Sequence, residues 1–340
     1  MTGSTHAGLS SPKKQADGRS VHRCSSQYDE NVRCVFIFNP TSGRNRHLRT
    51  GQLRQVEIVF SQAGHRTELI ATTRAGSAAT QARDAVEAGA EVIFACGGDG
   101  TIHDVMQGLV SETGRHRTAL GIIPMGTANA LARHLGLSMD PVTAALQQVQ
   151  CTARSVPIGK VEAGQLTRYF VVMAGAGPDG ALVYNLLQSD KAQSGRLAYY
   201  VRSARLFLTQ RFRAFELEYA PTASGPRSVR IAVSVMAVRV ADLGGLFSGL
   251  TGKDAGIHDP HLHLISLAPP GWLSLPLWFL SGWLNLRRFN PLLHAVAVTE
   301  FSCRPLANPA QHFQADGEWL GRIPMRVSIV EDALRIVMRS

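Results

Sequence analysis

The sequence predicts an α/β fold in two parts: a parallel-sheet N-terminal domain and a mostly antiparallel β-sandwich C-terminal domain. Three observations predict it. From Arg33 to about residue 152, short apolar runs alternate with helical stretches. Each of several runs stops at a cluster of Gly, Ser, Thr, Asn or Pro. Beyond residue 153 the texture turns β-rich.

Taken in order, Cys34 to Phe38 is a continuous apolar run that stops at Asn39-Pro40-Thr41-Ser42-Gly43, a buried parallel strand and its loop. A helix follows through Leu53, Val56, Val59 and Phe60, then a strand from Thr67 to Ala71 and an Ala-rich helix from Ser77 to Ala88. Glu91 to Ala95 is the third strand, ending at Gly97-Gly98-Asp99-Gly100, with a helix from near Thr101. Ala119 to Ile123 is the fourth, ending at Pro124-Met125-Gly126-Thr127-Ala128-Asn129, before a helix through Leu131 and Leu135. Asp140-Pro141 is a cap and first-turn pair for another helix. In the second part, Tyr169 to Met173, Val229 to Val240, Leu262 to Leu267 and Val296 to Phe301 read as β-structure, and Gly195 to about Gln210 as one long helix. A final strand around Val327 to Val337 either stays in the second part or returns to the first. The expected division is a disordered polar tail over 1–30, an α/β domain over 31–152 and a β domain over 153–340.

A chain of 340 residues, 45% hydrophobic and 18% charged, can bury the cores of two such domains. The formal net charge is +10, carried almost wholly by arginine. Nucleotide phosphates, nucleic acid and an acidic membrane surface all suit that charge, which by itself separates none of them; it is equally the mark of an Arg-rich genome. Five scattered cysteines, with no CxxC pair, exclude a disulfide framework or zinc ribbon and suit a cytoplasmic setting. The first 30 residues lack the apolar core of a secretory signal, and no apolar run reaches the length of a transmembrane helix.

The three glycine-containing loops share one design. Each follows a strand, and in open α/β sheets ligands bind beyond the carboxyl ends of the strands. Glycine lets the backbone approach a phosphate and turns N–H groups toward it, and the helix near Thr101 adds its positive end. The chain has neither GxxxxGK[ST] nor GxGxxG after a strand, which disfavours P-loop and dinucleotide-binding folds. A lone Gly-Gly turn is usually a plain turn; three such loops at strand ends point to a nucleotide-binding domain.

Asn39-Pro-Thr-Ser-Gly43, Gly97-Gly-Asp-Gly-Thr101 and Pro124-Met-Gly-Thr-Ala-Asn129 resemble, in order and spacing, the signature of the bacterial diacylglycerol and lipid kinases, relatives of the sphingosine kinases. Gly175-Ala-Gly-Pro-Asp179 and Ala315-Asp-Gly-Glu318 extend the resemblance to about residue 330. Gly-Gly-Asp-Gly also occurs in NAD kinases and phosphofructokinases; the whole ordered set is far more specific. The resemblance implies an ATP-dependent lipid kinase with its active site in the interdomain cleft. It places Asn39, Ser42, Gly43, Thr72, Gly97, Gly98, Gly100, Thr101, Gly126, Thr127 and Asn129 on the nucleotide, and Asp179 near the lipid head group. Thr72 reads equally as a helix cap.

Phosphoryl transfer needs held phosphates, a neutralising metal and an oriented hydroxyl. By resemblance Asp316 is the base, Asp99 organises Mg2+ and phosphates, and Glu318 is a third acid beside the metal; Asp99 and Asp316 are open to exchange of roles. Asp316-Gly317 also reads as a plain hairpin turn. Arg44, Arg46, Lys191 and Arg196 read as surface charges or as phosphate contacts. The sequence departs from the commoner pattern at Ala130, where many relatives carry Asp, at His103, Asp104 and Gln107, and at Pro178. These departures leave the lipid undetermined. Diacylglycerol or a related glycerolipid comes first, then a sphingoid lipid. An NAD kinase-like enzyme and an inactive nucleotide- or lipid-binding protein are the rival readings.

Residues 272–284 are apolar, hold three of the four tryptophans and precede Arg287-Arg288. They are too short and too broken by Pro276 to span a bilayer. Two readings stand: docking on the membrane surface, or a helix packed on the β domain. The expected partners are ATP, a lipid at the membrane surface and a second copy of the chain, without nucleic acid.

Overall fold

The computed structural model describes residues 31–40, 46–74, 76–110, 118–187, 212–221, 226–241, 255–284 and 286–339. Strands β1 (Arg33–Phe38), β2 (Arg66–Ala71), β3 (Val92–Gly97) and β4 (Ala119–Pro124) pair in parallel in the order β2-β1-β3-β4. Around them lie α1 (Arg46–Gln62), α2 (Ser77–Glu87), α3 (Asp99–Leu109), the short α4 (Ala130–His134) and α5 (Pro141–Gln148). β3 and β4 are buried at every residue, which is why they read as unbroken apolar runs. Phe36 of β1 stacks on Phe94 of β3 at 4.8 Å, and Phe60 of α1 closes on Phe94 at 4.6 Å. Asp140 caps α5 as expected, accepting from the Thr143 N–H, with Pro141 in the first turn. Helix α3 starts at Asp99, two residues before the expected start; an acidic side chain in the first turn suits the positive helix end. Thr72 caps no helix, since Gly76 holds the N-cap of α2. The strand order reverses between β1 and β3, so the loops after these two strands flank the crevice where α/β proteins bind ligands.

The last strand returns to the first domain. β16 (Met325–Met338) pairs in parallel with β4 at Arg335 and Ile336. It runs antiparallel along β5 (Thr152–Ala163) and β13 (Glu300–Pro305). One sheet therefore continues from β4 through β16 and β13 to β8 (Phe215–Ala220) and β9 (Ser228–Ala232), with β5 and β6 (Leu166–Phe170) branching from β16. A second, antiparallel sheet has the order β12 (Leu293–Val298), β11 (Leu262–Leu267), β10 (Ser234–Val238), β7 (Met173–Ala176), β14 (His312–Ala315), β15 (Glu318–Arg322). Helices α6 (Pro178–Leu187) and α7 (Gly271–Trp283) accompany the second part. The helix expected from Gly195 to about Gln210 lies outside the described residues.

Three apolar runs are each two strands in different sheets. The chain changes sheets between β6 and β7 at Val171 and Val172, between β9 and β10 at Val233, and between β12 and β13 at Thr299. Strands that switch sheets at a short break form the corners of packed sheets. Hydropathy does not reveal the first two breaks, because both halves and the break itself hold apolar residues.

Candidate active site

The loops after β3 and β4 form one locked unit. Met125 N–H donates to Gly97 O at 2.9 Å, and a Cβ on Gly126 would run into the Gly98 backbone and the Asn129 side chain. Glycine at 126 is thus required by close approach of two loops, not by its φ. Asn129, nearly fully buried at φ 49°, accepts from Gly126 N–H at 3.0 Å and donates to Gly126 O at 3.1 Å. Asp99 Oδ1 accepts from Ala130 N–H at 2.7 Å, tying the start of α3 to the start of α4. Gly97 has no room for a Cβ because Thr101 packs against it. Asn39 follows β1, and Thr72 follows β2 with its N–H on Phe38 O at 2.8 Å. The expected contacts at Asn39, Thr72, Gly97, Gly98, Gly100, Thr101, Gly126, Thr127 and Asn129 thus all fall at carboxyl ends of parallel strands. Ser42, Gly43, Arg44, Lys191 and Arg196 lie outside the described residues.

Asp316 and Gly317 turn the β14–β15 hairpin with φ of 47° and 82°, a turn with two positive φ values. The plain-turn reading is therefore correct, and the turn also aims the carboxylate. Asp316 Oδ1 accepts from the N–H groups of Val172 and Met173, both at 2.9 Å, and Oδ2 accepts from Val171 N–H at 2.9 Å. The break between β6 and β7 presents these three donors together. His103 Nδ1 lies 3.5 Å from Asp316 Oδ2, and its Nε2 lies 2.8 Å from Glu318 Oε2. His103 sits four residues after Asp99 on α3, hence on the same helix face. Burial disfavours its charge, yet hydrogen bonds to Asp316 and Glu318 outweigh burial and raise its pKa to about 9. The His103 bond holds Glu318 below its usual value against a smaller effect of burial. Burial raises Asp99, with the nearby Asp316 charge adding to it.

Beside Asp99, Ala130 and Asp316 lies a cavity of about 230 Å³ whose lining is mostly apolar, with Leu182, Met236 and Trp278 among its walls. Asp179 also lines it and is half-buried; its Oδ2 accepts from Gln314 at 3.2 Å, while the buried Oδ1 has no partner. Burial raises the Asp179 carboxyl to about 6. Helix α7 forms a wall of the cavity through Trp278 (3% exposed), with Leu275 buried on the same face. Its opposite face leaves Trp272 76% and Trp283 83% exposed, together with Leu273, Leu280 and Leu284. The packed-helix reading holds for one face, and the other remains an apolar surface.

The structure brings together Asp99, Asp316, Glu318, Asp179 and the loops after β3 and β4. Sequence reasoning missed the bridging place of His103 and the amides of 171–173. The first had a signal, a histidine one helical turn beyond Asp99; the second had none.

Residues 33–161 match the family described as Diacylglycerol kinase catalytic domain. A diacylglycerol kinase of Bacillus subtilis (strain 168) is 39% identical over 188 residues, 55% of this chain and 59% of that protein. One from Staphylococcus saprophyticus is 34% identical over 187 residues, again 55% and 59%. These alignments span less than two thirds of the relatives' length. Two crystal structures from Bacillus anthracis str. Sterne share the fold. One, provisionally assigned as a diacylglycerol kinase, has a TM-score of 0.73 at 19% identity, covering 93% of this chain and 98% of its own. The other, of a diacylglycerol kinase, has a TM-score of 0.64 at 16% identity, with 92% and 98% covered. The match over residues 33–161, the loops after β3 and β4 and the two-sheet fold together make this chain similar to the diacylglycerol kinases.

Proposed function

We propose that this protein is an ATP-dependent lipid kinase that moves the γ-phosphoryl group onto the hydroxyl of diacylglycerol or a related glycerolipid. The observation that carries the reading is the apolar cavity opening beside Asp99, where a lipid hydroxyl can meet a nucleotide held on the glycine loops. The 31–152 part serves the nucleotide and the 153–340 part the lipid, with the cleft between them as the reaction site.

Asp99 is the better base of the two aspartates. Asp316 accepts from three backbone N–H groups and faces His103, so its acceptor positions are already taken. Asp99 lines the cavity, and burial raises its affinity for a proton. Asp316 and His103 then position Glu318. Glu318 would supply a carboxylate oxygen that suits Mg2+, and that ion, when bound, neutralises charge on the phosphates. Asp179, with one oxygen unpartnered, faces the cavity as an acceptor for a lipid head-group hydroxyl.

The exposed face of α7, followed by Arg288 over the Phe289 ring at 4.7 Å, fits the headgroup boundary of a bilayer. No helix among the described residues is long and apolar enough to cross a membrane. Trp272→Glu/Trp283→Glu protein should lose flotation with anionic liposomes while keeping its melting temperature; unchanged flotation would refute the docking. The function itself is tested by transfer of labelled phosphate from Mg-ATP to diacylglycerol, monoacylglycerol, sphingosine and ceramide in mixed micelles, with NAD as soluble control. Label in a glycerolipid, absent with Asp99→Asn, is expected. Label in NAD alone would overturn the proposal.

A further inference from the structure

Outside the cavity, the segment from Asp259 to His263 gathers two imidazoles and a carboxylate. The metal-binding atoms of Asp259, His261 and His263 all lie within 4.8 Å of one another, and each side chain is half-buried. We propose that these three residues form a binding site for a divalent d-block cation, with zinc as its reference ion, separate from the Mg2+ of phosphoryl transfer.

The spacing Asp-x-His-x-His makes the cluster. His261 and His263 flank Leu262, the fully buried first residue of β11, and Asp259 comes from the turn just before the strand. His263 lies in β11, a strand paired on both edges, opposite Val238 of β10 and Ala297 of β12. The His261 and His263 rings sit 4.9 Å apart. Asp259 Oδ2 takes the Gly256 N–H at 2.7 Å and faces His263 Nε2 at 2.8 Å. Such an outer hydrogen bond fixes a ligand carboxylate before a metal arrives.

The main chain beneath the ligands is also held. Arg239 is fully buried, and its guanidinium donates to the carbonyl oxygens of Ile257 at 2.6 Å, His261 at 3.1 Å and Asp259 at 3.2 Å. Three carbonyls along the ligand-bearing segment are thus fixed by one planar group, and the ligand side chains are left to the outer side.

The donor set selects the ion. Bonds of about 2.0–2.1 Å place ligand atoms of a tetrahedral centre roughly 3.3 Å apart, so modest side-chain rotation closes the cluster on a metal. The metal takes the place of the hydrogen bond between His263 Nε2 and Asp259 Oδ2, and the ring keeps its N–H on Nδ1. One carboxylate beside the Arg239 cation gives no net negative charge to attract Mg2+ or Ca2+, which prefer several oxygens. Two imidazoles and one carboxylate instead suit zinc, cobalt or nickel.

The test uses the full chain, stripped with a chelator and titrated with Zn2+ against a chromophoric competitor. Co2+ in place of Zn2+ provides a visible d–d spectrum. Wild type should take up one equivalent more than His261→Ala/His263→Ala protein and show Co2+ bands that the variant lacks, in the presence of excess Mg2+. Asp259→Asn keeps the shape and the Gly256 contact. It should weaken binding by at least the roughly 10–100-fold that losing an outer-shell partner costs. Equal stoichiometry and equal Co2+ spectra in wild type and both variants would overturn the proposal, as would a wild type that captures no ion from the competitor.

Discussion

Asp99 and Asp316 are the same carboxylate in two kinds of surroundings. Asp99 is placed by local means: a strand end, a glycine turn and the first turn of α3, with one long-range bond to Ala130 N–H. Asp316 is placed by assembly. Its three amide donors come from residues 143 to 145 positions earlier, where the chain leaves one sheet for the other. A carboxylate with spare lone pairs beside a cavity can do chemistry. One saturated by fixed donors holds architecture, here the seam between β14, the β6–β7 break and α3.

The contrast breaks if the two asparagine variants behave alike. Asp99→Asn should lower kcat by about 10²–10⁴-fold, the usual contribution of a general base, with little change in melting temperature. Asp316→Asn turns an amide NH₂ toward backbone N–H groups. It should cost on the order of 3 kcal/mol of unfolding free energy, since bonds to a charged group contribute roughly 1.5–3 kcal/mol each. Parallel denaturant titration and single-turnover kinetics of both proteins separate the effects. A stable, inactive Asp316→Asn protein beside an active Asp99→Asn protein would reverse the assignment.

The Asp99 side was legible in the sequence because its determinants are local. Apolar run, glycine turn and helix start follow one another, and each element from β1 to α5 lay within a few residues of its expected place. The Asp316 side was legible as a motif but not as geometry. Ala315-Asp-Gly-Glu318 marks the turn, yet nothing in Val171-Val172-Met173 says that the sheet changes there. The run is apolar through the break, and the freed N–H groups belong to the backbone, which leaves no trace in residue type. The same blindness merged β9 with β10. His103 was visible as a departure, but its two partners become neighbours only when the β14–β15 hairpin docks on α3.

A smaller change sharpens the local side. Gly126 and Gly98 press backbone to backbone, so Gly126→Ala must separate the two loops. Overpacking of this kind costs about 1–3 kcal/mol. Because the displaced groups are the proposed phosphate cradle, ATP affinity measured by calorimetry should fall more than stability does. Gly51→Ala on α1, away from the loops, is the control, since a Cβ there meets nothing within 4 Å. Equal ATP affinities in the two variants would show that the loop contact does not shape the nucleotide site.

The smallest effect tests the link between the two regions, His103. Its pKa stands at about 9 in the folded chain against an ordinary 6.5. A raised pKa means that the folded state holds the proton more tightly. The contribution is therefore complete below about pH 6.5 and disappears as pH rises through 9. At 1.36 kcal/mol per pKa unit the full shift would correspond to about 3 kcal/mol; Glu318 is partly exposed and screened, which brings the expectation to about 1–2 kcal/mol. His103→Gln keeps hydrogen-bonding capacity and removes the titration. Urea midpoints from pH 6 to 10 should converge for the two proteins as the wild type loses its advantage. Parallel pH profiles would mean that His103 is neutral in the folded chain, and that Asp316 is held by backbone amides alone.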